Sequence, residues 1–202
     1  MEKLRFMLIG CGRISKNHIA AAAANQDSCE LMAVCDPVVE LAEIKADDMQ
    51  AAAGYRPRVY ADYRKALEEL SVDCCAIATE SGYHAEIALN CIAHGKHVLI
   101  EKPMALSTAD AEKILAEAEK KGVTVGVCHQ NRFNAPIQQL HRALEDGRFG
   151  KLVNGTARIL WNRTMPYYQQ APWRGTWAQD GGTLMNQCIH CLLYTSDAAD
   201  EL

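Results

Sequence analysis

The stretch LRFMLIGCGRISKNHIAAAAA, residues 4–24, decides the fold. Phe6, Met7, Leu8 and Ile9 form an unbroken apolar run that ends at Gly10 and Gly12, and an alanine-rich segment follows. A short apolar run closed by glycines predicts a buried parallel strand turning sharply into a helix. Gly10 lets the chain turn, and Gly12 removes a side chain where a phosphate would approach the backbone. Amides at the start of the next helix then point at that phosphate, and the helix dipole favours its charge. Gly10, Gly12, Arg13 and Ile14 are therefore candidate contacts to a dinucleotide. The pattern is G-x-G-x-x-S, with Ser15 in place of the third glycine. Alone, it also fits a strand–helix turn that binds nothing.

Residues 30–36 (ELMAVCD) form a second apolar run, ending in an acid 24 positions after Gly12. The first βαβ unit places Asp36 beside the adenosine ribose, where a carboxylate accepts hydrogen bonds from both hydroxyls. Asp36 would repel a 2′-phosphate, so NAD is expected over NADP, with Arg13 as the one residue able to offset the acid. The bland alternative is a surface acid opening the Asp-Pro turn.

At 202 residues, 49% hydrophobic and 23% charged, the chain can build a core and is not disordered. The net charge of −4 carries no basic stripe, which argues against nucleic acid and anionic membranes as partners. No apolar run approaches the roughly 18 residues that a membrane helix needs. The sequence enters its first strand directly, without a signal peptide. Nine cysteines are scattered, and Cys188 and Cys191 make the only C-x-x-C, without a partner motif. Reduced, mostly buried thiols in a cytoplasmic protein are expected, with no metal site.

Strand and helix signals alternate downstream. Residues 39–53 predict a helix stopped by Gly54, a short strand surrounds Val59, and Asp62 caps a helix running to Leu70. Residues 74–78 predict a strand whose end carries Thr79, Ser81 and His84, and a helix follows to Gly95. Residues 97–100 predict the strand that delivers Glu101, Lys102 and Pro103. Ser107 caps a helix ended by Gly122, and residues 124–128 predict the last strand of the series. This alternation predicts an α/β fold, a doubly wound parallel Rossmann sheet over residues 1–130. Ligands bind such sheets beyond the carboxyl ends of the strands, which makes Thr79, Ser81, His84, Glu101 and Lys102 cofactor-binding candidates.

Residues 131–190 read as the start of a second domain, for which the resemblance described below implies an α+β open sheet. A helix is expected over residues 136–145, with Ile137, Leu140 and Leu144 on one face, then a longer strand over residues 151–161. All three tryptophans of the chain lie from residue 161 onward, interleaved with arginines. Trp161, Arg163, Trp173 and Arg174 offer aromatic faces and guanidinium donors suited to a sugar or another polyhydroxylated ligand. Ordinary packing between domains accounts for the same composition.

The motifs GCGRIS, CDP, ATESGYH, GKHVLIEKP, HQNRFN and GGTLMNQCIH, in this order, resemble the glucose–fructose oxidoreductase / inositol dehydrogenase / MocA family. The likeness covers about residues 4–190. It implies a Rossmann domain followed by an open-sheet domain that carries the substrate site and often the oligomer interface, so a homo-oligomer is expected. The family's EKP lysine falls on Lys102, and its Lys–Pro bond is typically cis. The second motif places Asn186 and His190 four positions apart. Many relatives have Asp at the first of these; Asn can bond a substrate hydroxyl but is no base, which leaves proton transfer to His190.

The chemistry follows from the residue types. Oxidising a secondary alcohol with NAD needs a base for the hydroxyl proton and a donor that steadies the developing alkoxide. Histidine titrates near neutrality, and a lysine ammonium supplies the positive charge. The expected activity is an NAD-dependent dehydrogenase acting on a sugar, cyclitol or nucleotide-linked sugar; the WRGTW and YY elements incline the reading toward a pyranose, a UDP-linked N-acetylhexosamine derivative being one such case. The alternative is a nucleotide-binding sensor or assembly subunit, which has no need of the Lys102–His190 pair.

After His190 the sequence reads CLLYTSDAADEL. The DNA string TGTCTCTTATACACATCTGACGCTGCCGAC, the end of a transposase-type sequencing adapter, translates into residues 191–200 without a mismatch. Residues 191–202 are accordingly expected to be adapter read-through, the gene to continue, and the 202-residue chain to be inactive by itself.

Overall fold

The structure, a computed structural model, describes residues 2–154, 156, 160, 162–182 and 184–189. Six strands, β1 (Leu4–Ile9), β2 (Cys29–Cys35), β3 (Arg58–Tyr60), β4 (Cys74–Ile77), β5 (His97–Glu101) and β6 (Val125–Cys128), form one sheet in the order β3-β2-β1-β4-β5-β6. Five helices connect them: α1 (Ser15–Ala24), α2 (Val39–Ala53), α3 (Tyr63–Glu69), α4 (His84–Ala93) and α5 (Thr108–Lys121). β1 runs parallel to both β2 and β4, and Ile9 lies opposite Cys35 on one side and Ile77 on the other. The three strands thus finish at one edge. The order reverses between β1 and β4, which opens a crevice at that edge.

Because side chains alternate across a strand, the continuous apolar run of β1 feeds two cores. Met7 and Ile9 pack with α3, α4 and α5 through Leu67, Ile87, Ile92 and Ile114. Leu8 packs on the other face with Ile19 of α1 and Ala42, Ala46 and Met49 of α2. Met7, Leu8, Ile77 and Ile100 have no exposed surface. Burial of one such side chain contributes about 1.5–3 kcal/mol.

Local signals set the element ends. Gly54 and Gly122 close α2 and α5 with φ of 79° and 66°. Asp62 accepts from the Arg64 N–H at 2.9 Å, and the Ser107 hydroxyl accepts from the Asp110 N–H at 3.1 Å, satisfying helix-start donors as expected.

The chain divides into two compact units, residues 1–127 and 128–202. The second holds α6 (Ala135–Glu145), α7 (Met165–Gln169), α8 (Trp177–Asp180) and a π-helical turn at Leu184–Cys188. The strand expected over residues 151–161 is not formed in its described residues, 151–154, 156 and 160, where Val153 and Leu160 are 91% and 82% exposed. Periodicity selects a strand's faces, but a strand persists only where a neighbour pairs its backbone. No described helix is long and apolar enough to cross a membrane. The eight described cysteines are in no disulfide, with Cys11, Cys35, Cys75 and Cys91 buried; Cys191 lies outside the described residues.

Candidate functional site

The edge of the sheet at the β1/β4 crevice carries the first site. Gly10 turns the chain with a φ of 96°. A Cβ there would stand 2.6 Å from the carbonyl carbon of Ala78, so the tight approach of the turn to β4 admits only glycine. At Gly12 a Cβ would meet no protein atom within 4 Å. That is the room a phosphate requires beside the backbone, immediately before α1. Ser15, where the third glycine was expected, is fully buried and donates its hydroxyl to the Gly12 carbonyl at 2.5 Å. The serine satisfies its own polar atom inside the turn, so the departure from the glycine pattern leaves the loop intact.

Asp36 ends β2 against this turn. Its Oδ2 accepts from the Cys11 N–H at 2.8 Å and its Oδ1 from the Val38 N–H at 2.9 Å. Each carboxylate oxygen keeps a second lone pair for a ribose hydroxyl. Arg13 is exposed and Ile14 half-buried beside the same turn. Cys11 is buried, and its thiol is pushed up to about 12, first by burial and then by the Asp36 charge. It packs against the turn, where the thiol form is favoured.

Thr79, at the end of β4, is half-buried, whereas Ser81 is 8% exposed. His84 has no exposed surface. Its Nδ1 lies 2.7 Å from the Pro103 carbonyl and its Nε2 3.1 Å from the Thr79 carbonyl. His84, expected as a cofactor contact, lies between two backbone carbonyls, one from each loop. Burial is the main cause that lowers its pKa, so the neutral ring, with one N–H, is favoured. Glu101 ends β5 with Oε1 3.1 Å from Nε2 of His18 on α1, and the Lys102–Pro103 peptide bond is cis. His18 was not read from the sequence as a site residue. Its signal was its spacing, since it falls on the same helical stripe as the buried Ser15 and Ala22.

The second unit holds a cavity of about 170 Å³ lined by Tyr167, Tyr168, Gly175, Asp180, Gly182, Asn186 and Gln187. Asp180 is 3% exposed and accepts from the Gly175 N–H at 2.7 Å and from the side-chain amide of Asn186. Arg163 stacks on the Tyr167 ring with its guanidinium carbon 4.7 Å from the centroid. Arg174 donates to the Tyr167 hydroxyl at 2.8 Å and stands 4.7 Å from the Trp173 ring. The two arginines and Trp173 thus support a tyrosine of the cavity wall. Trp161 and His190 lie outside the described residues. Asp180 was missed because a lone acid before two glycines reads as a helix stop.

A glycine turn at a strand-order switch point, with an acid ending the neighbouring strand, defines a dinucleotide-binding α/β domain. Two family models match the chain: "Oxidoreductase family, NAD-binding Rossmann fold" over residues 4–129 and "GFO/IDH/MocA C-terminal domain" over residues 137–199. The chain belongs to the GFO/IDH/MocA family of NAD-binding oxidoreductases. The WlbA dehydrogenase of Bordetella pertussis, solved with NADH and UDP-GlcNAcA, is 39% identical with a TM-score of 0.83, over 94% of this chain and 56% of that one. The D-glucoside 3-dehydrogenase of Escherichia coli K12 is 28% identical over 189 residues, 94% of this chain and 52% of its own. The myo-inositol 2-dehydrogenase of Thermotoga maritima is 29% identical over 148 residues, 73% of this chain and 42% of its own. The chain spans about half the length of these relatives.

Proposed function

We propose that this chain is the cofactor half and the beginning of the substrate half of a cytoplasmic NAD-dependent dehydrogenase. Its substrate is a secondary hydroxyl of a sugar, cyclitol or nucleotide-linked sugar, with a UDP-linked N-acetylhexosamine derivative favoured. The observation that carries this reading is Lys102 at the end of β5, on the same sheet edge as the Gly10–Gly12 turn and Asp36. The likeness to a dehydrogenase solved with a UDP-sugar supports the substrate class.

Gly10, Gly12, Arg13, Ile14, Asp36 and Thr79 would hold the dinucleotide. NAD, when bound, supplies the hydride acceptor for the alcohol carbon. His190 takes the hydroxyl proton at a ring nitrogen, and the Lys102 ammonium stabilises the negative charge that develops on that oxygen. Asn186, held through its amide by Asp180, presents its carbonyl oxygen to a substrate hydroxyl. The tyrosines of the second-unit cavity, with Arg163 and Arg174 behind Tyr167, offer the surface for a ring.

The protein expressed from its native gene should oxidise at least one member of a panel of UDP-sugars, glucosides and inositols with NAD. Lys102→Ala and His190→Ala should each lower turnover by about 100-fold or more while NAD still binds. Near-normal turnover in either variant removes that residue from the mechanism. A protein that binds NADH and turns over no member of the panel is the sensor considered above.

A further inference from the structure

Lys102 stands between two residues that are each held by an imidazole from a different helix. On its N-terminal side, Oε1 of Glu101 meets Nε2 of His18 from α1 at 3.1 Å, and these side chains are 11% exposed for His18 and 14% for Glu101. On its C-terminal side, the Pro103 carbonyl meets Nδ1 of His84, the first residue of α4, at 2.7 Å. The other nitrogen of that ring faces the Thr79 carbonyl, at the end of β4.

We propose that His18 and His84 form a two-sided brace, two positioning residues that fix the backbone of Lys102 and through it the placement of its amine. The proposal rests on the reading of Lys102 as catalytic. A lysine amine rides on a flexible four-carbon stem, so its reach is set by where its backbone is anchored. A strand end held only by its ladder bonds frays. Here the residue before Lys102 is tied to the helix that opens on the glycine turn, and the residue after it to the first residue of α4. The helix after the glycine turn, the start of α4 and the backbone around Lys102 are thereby linked. Low exposure strengthens both contacts, since water competes little for them. Displacement of a reacting group by about 1 Å costs on the order of 100-fold in rate, which is the scale of error the brace suppresses.

The test reads Lys102 directly in the 202-residue chain. Its lysines are reductively methylated with ¹³C-formaldehyde, and the Lys102 signal is assigned by its loss in Lys102→Arg. His18→Ala should shift and broaden that signal, and His18→Gln should restore it, because the glutamine amide donates to Glu101 as the imidazole does. His84→Asn should perturb the signal from the other side; if it fails to fold, the His18 series decides alone. A Lys102 signal identical in the wild type and His18→Ala overturns the brace. In the protein from the native gene, His18→Ala should lower kcat roughly tenfold or more, with KM for NAD within about twofold. A moved signal with unchanged turnover sustains the brace and counts instead against the catalytic reading of Lys102.

Discussion

The backbone N–H of Cys11 donates to Oδ2 of Asp36 across 2.8 Å, joining the middle of the glycine turn to the end of the neighbouring strand. The acid proposed to select the cofactor is therefore also a structural member of the loop proposed to bind its phosphates. Its other oxygen is fixed by the Val38 N–H, so the carboxylate is oriented before any ligand arrives.

Asp36→Ala removes the turn's acceptor together with the ribose acceptor and the charge that repels a 2′-phosphate. NAD affinity should fall about tenfold or more, and the preference for NAD over NADP should narrow. Dissociation constants for both cofactors, measured by titration calorimetry on wild type and variant, check this. NADP binding as tight as NAD in the wild type would point to Arg13 as the dominant residue.

The two glycines should separate by phenotype. Gly10→Ala places a Cβ 2.6 Å from the Ala78 carbonyl carbon at a φ of 96°, so it should destabilise the fold by about 2 kcal/mol or more. Gly12→Ala meets no protein atom, so its denaturant midpoint should stay close to wild type while NADH affinity drops. Denaturant melts beside NADH titrations distinguish the two.

His84 gives a pH dependence. Burial holds its folded pKa below the ordinary 6.5, so in the unfolded chain it takes up a proton first as pH falls. Its contribution to stability is full above about pH 6.5 and is lost as pH drops from there through the folded value. Urea melts across this window should show stability falling toward acid in the wild type. The slope should be shallower in His84→Asn, and equal slopes would place the titration elsewhere.

Much of the first unit was legible because its signals are local. A strand buried on both faces is written as a continuous apolar run, as at residues 6–9, and helix ends are written as Asp62, Ser107, Gly54 and Gly122. The roles of His84 and His18 were not legible. Whether an imidazole at a strand end faces a ligand or two carbonyls depends on burial, and His84 has no exposed surface. The Glu101 partner of His18 lies 83 positions away, a distance that no local pattern encodes. The described part of residues 151–161 departs for the converse reason. Its apolar content suits a strand, but a strand needs a neighbour, and that is a property of the fold.

Within the second unit, Asp180 is the residue whose loss should be felt most. Asp180→Ala removes the acceptor of the Gly175 N–H and the anchor of the Asn186 amide, both inside the cavity wall. Substrate KM should rise in the protein from the native gene while NADH affinity stays unchanged. A change confined to NADH binding would contradict the assignment of this cavity to substrate.

The most direct measurement is NADH formation from NAD and a UDP-linked N-acetylhexosamine derivative, followed side by side in the wild-type protein expressed from its native gene and in Lys102→Ala. Steady NADH production in the wild type, about 100-fold slower in a variant that binds NADH equally well, is the predicted result. Equal rates in the two proteins would contradict the account.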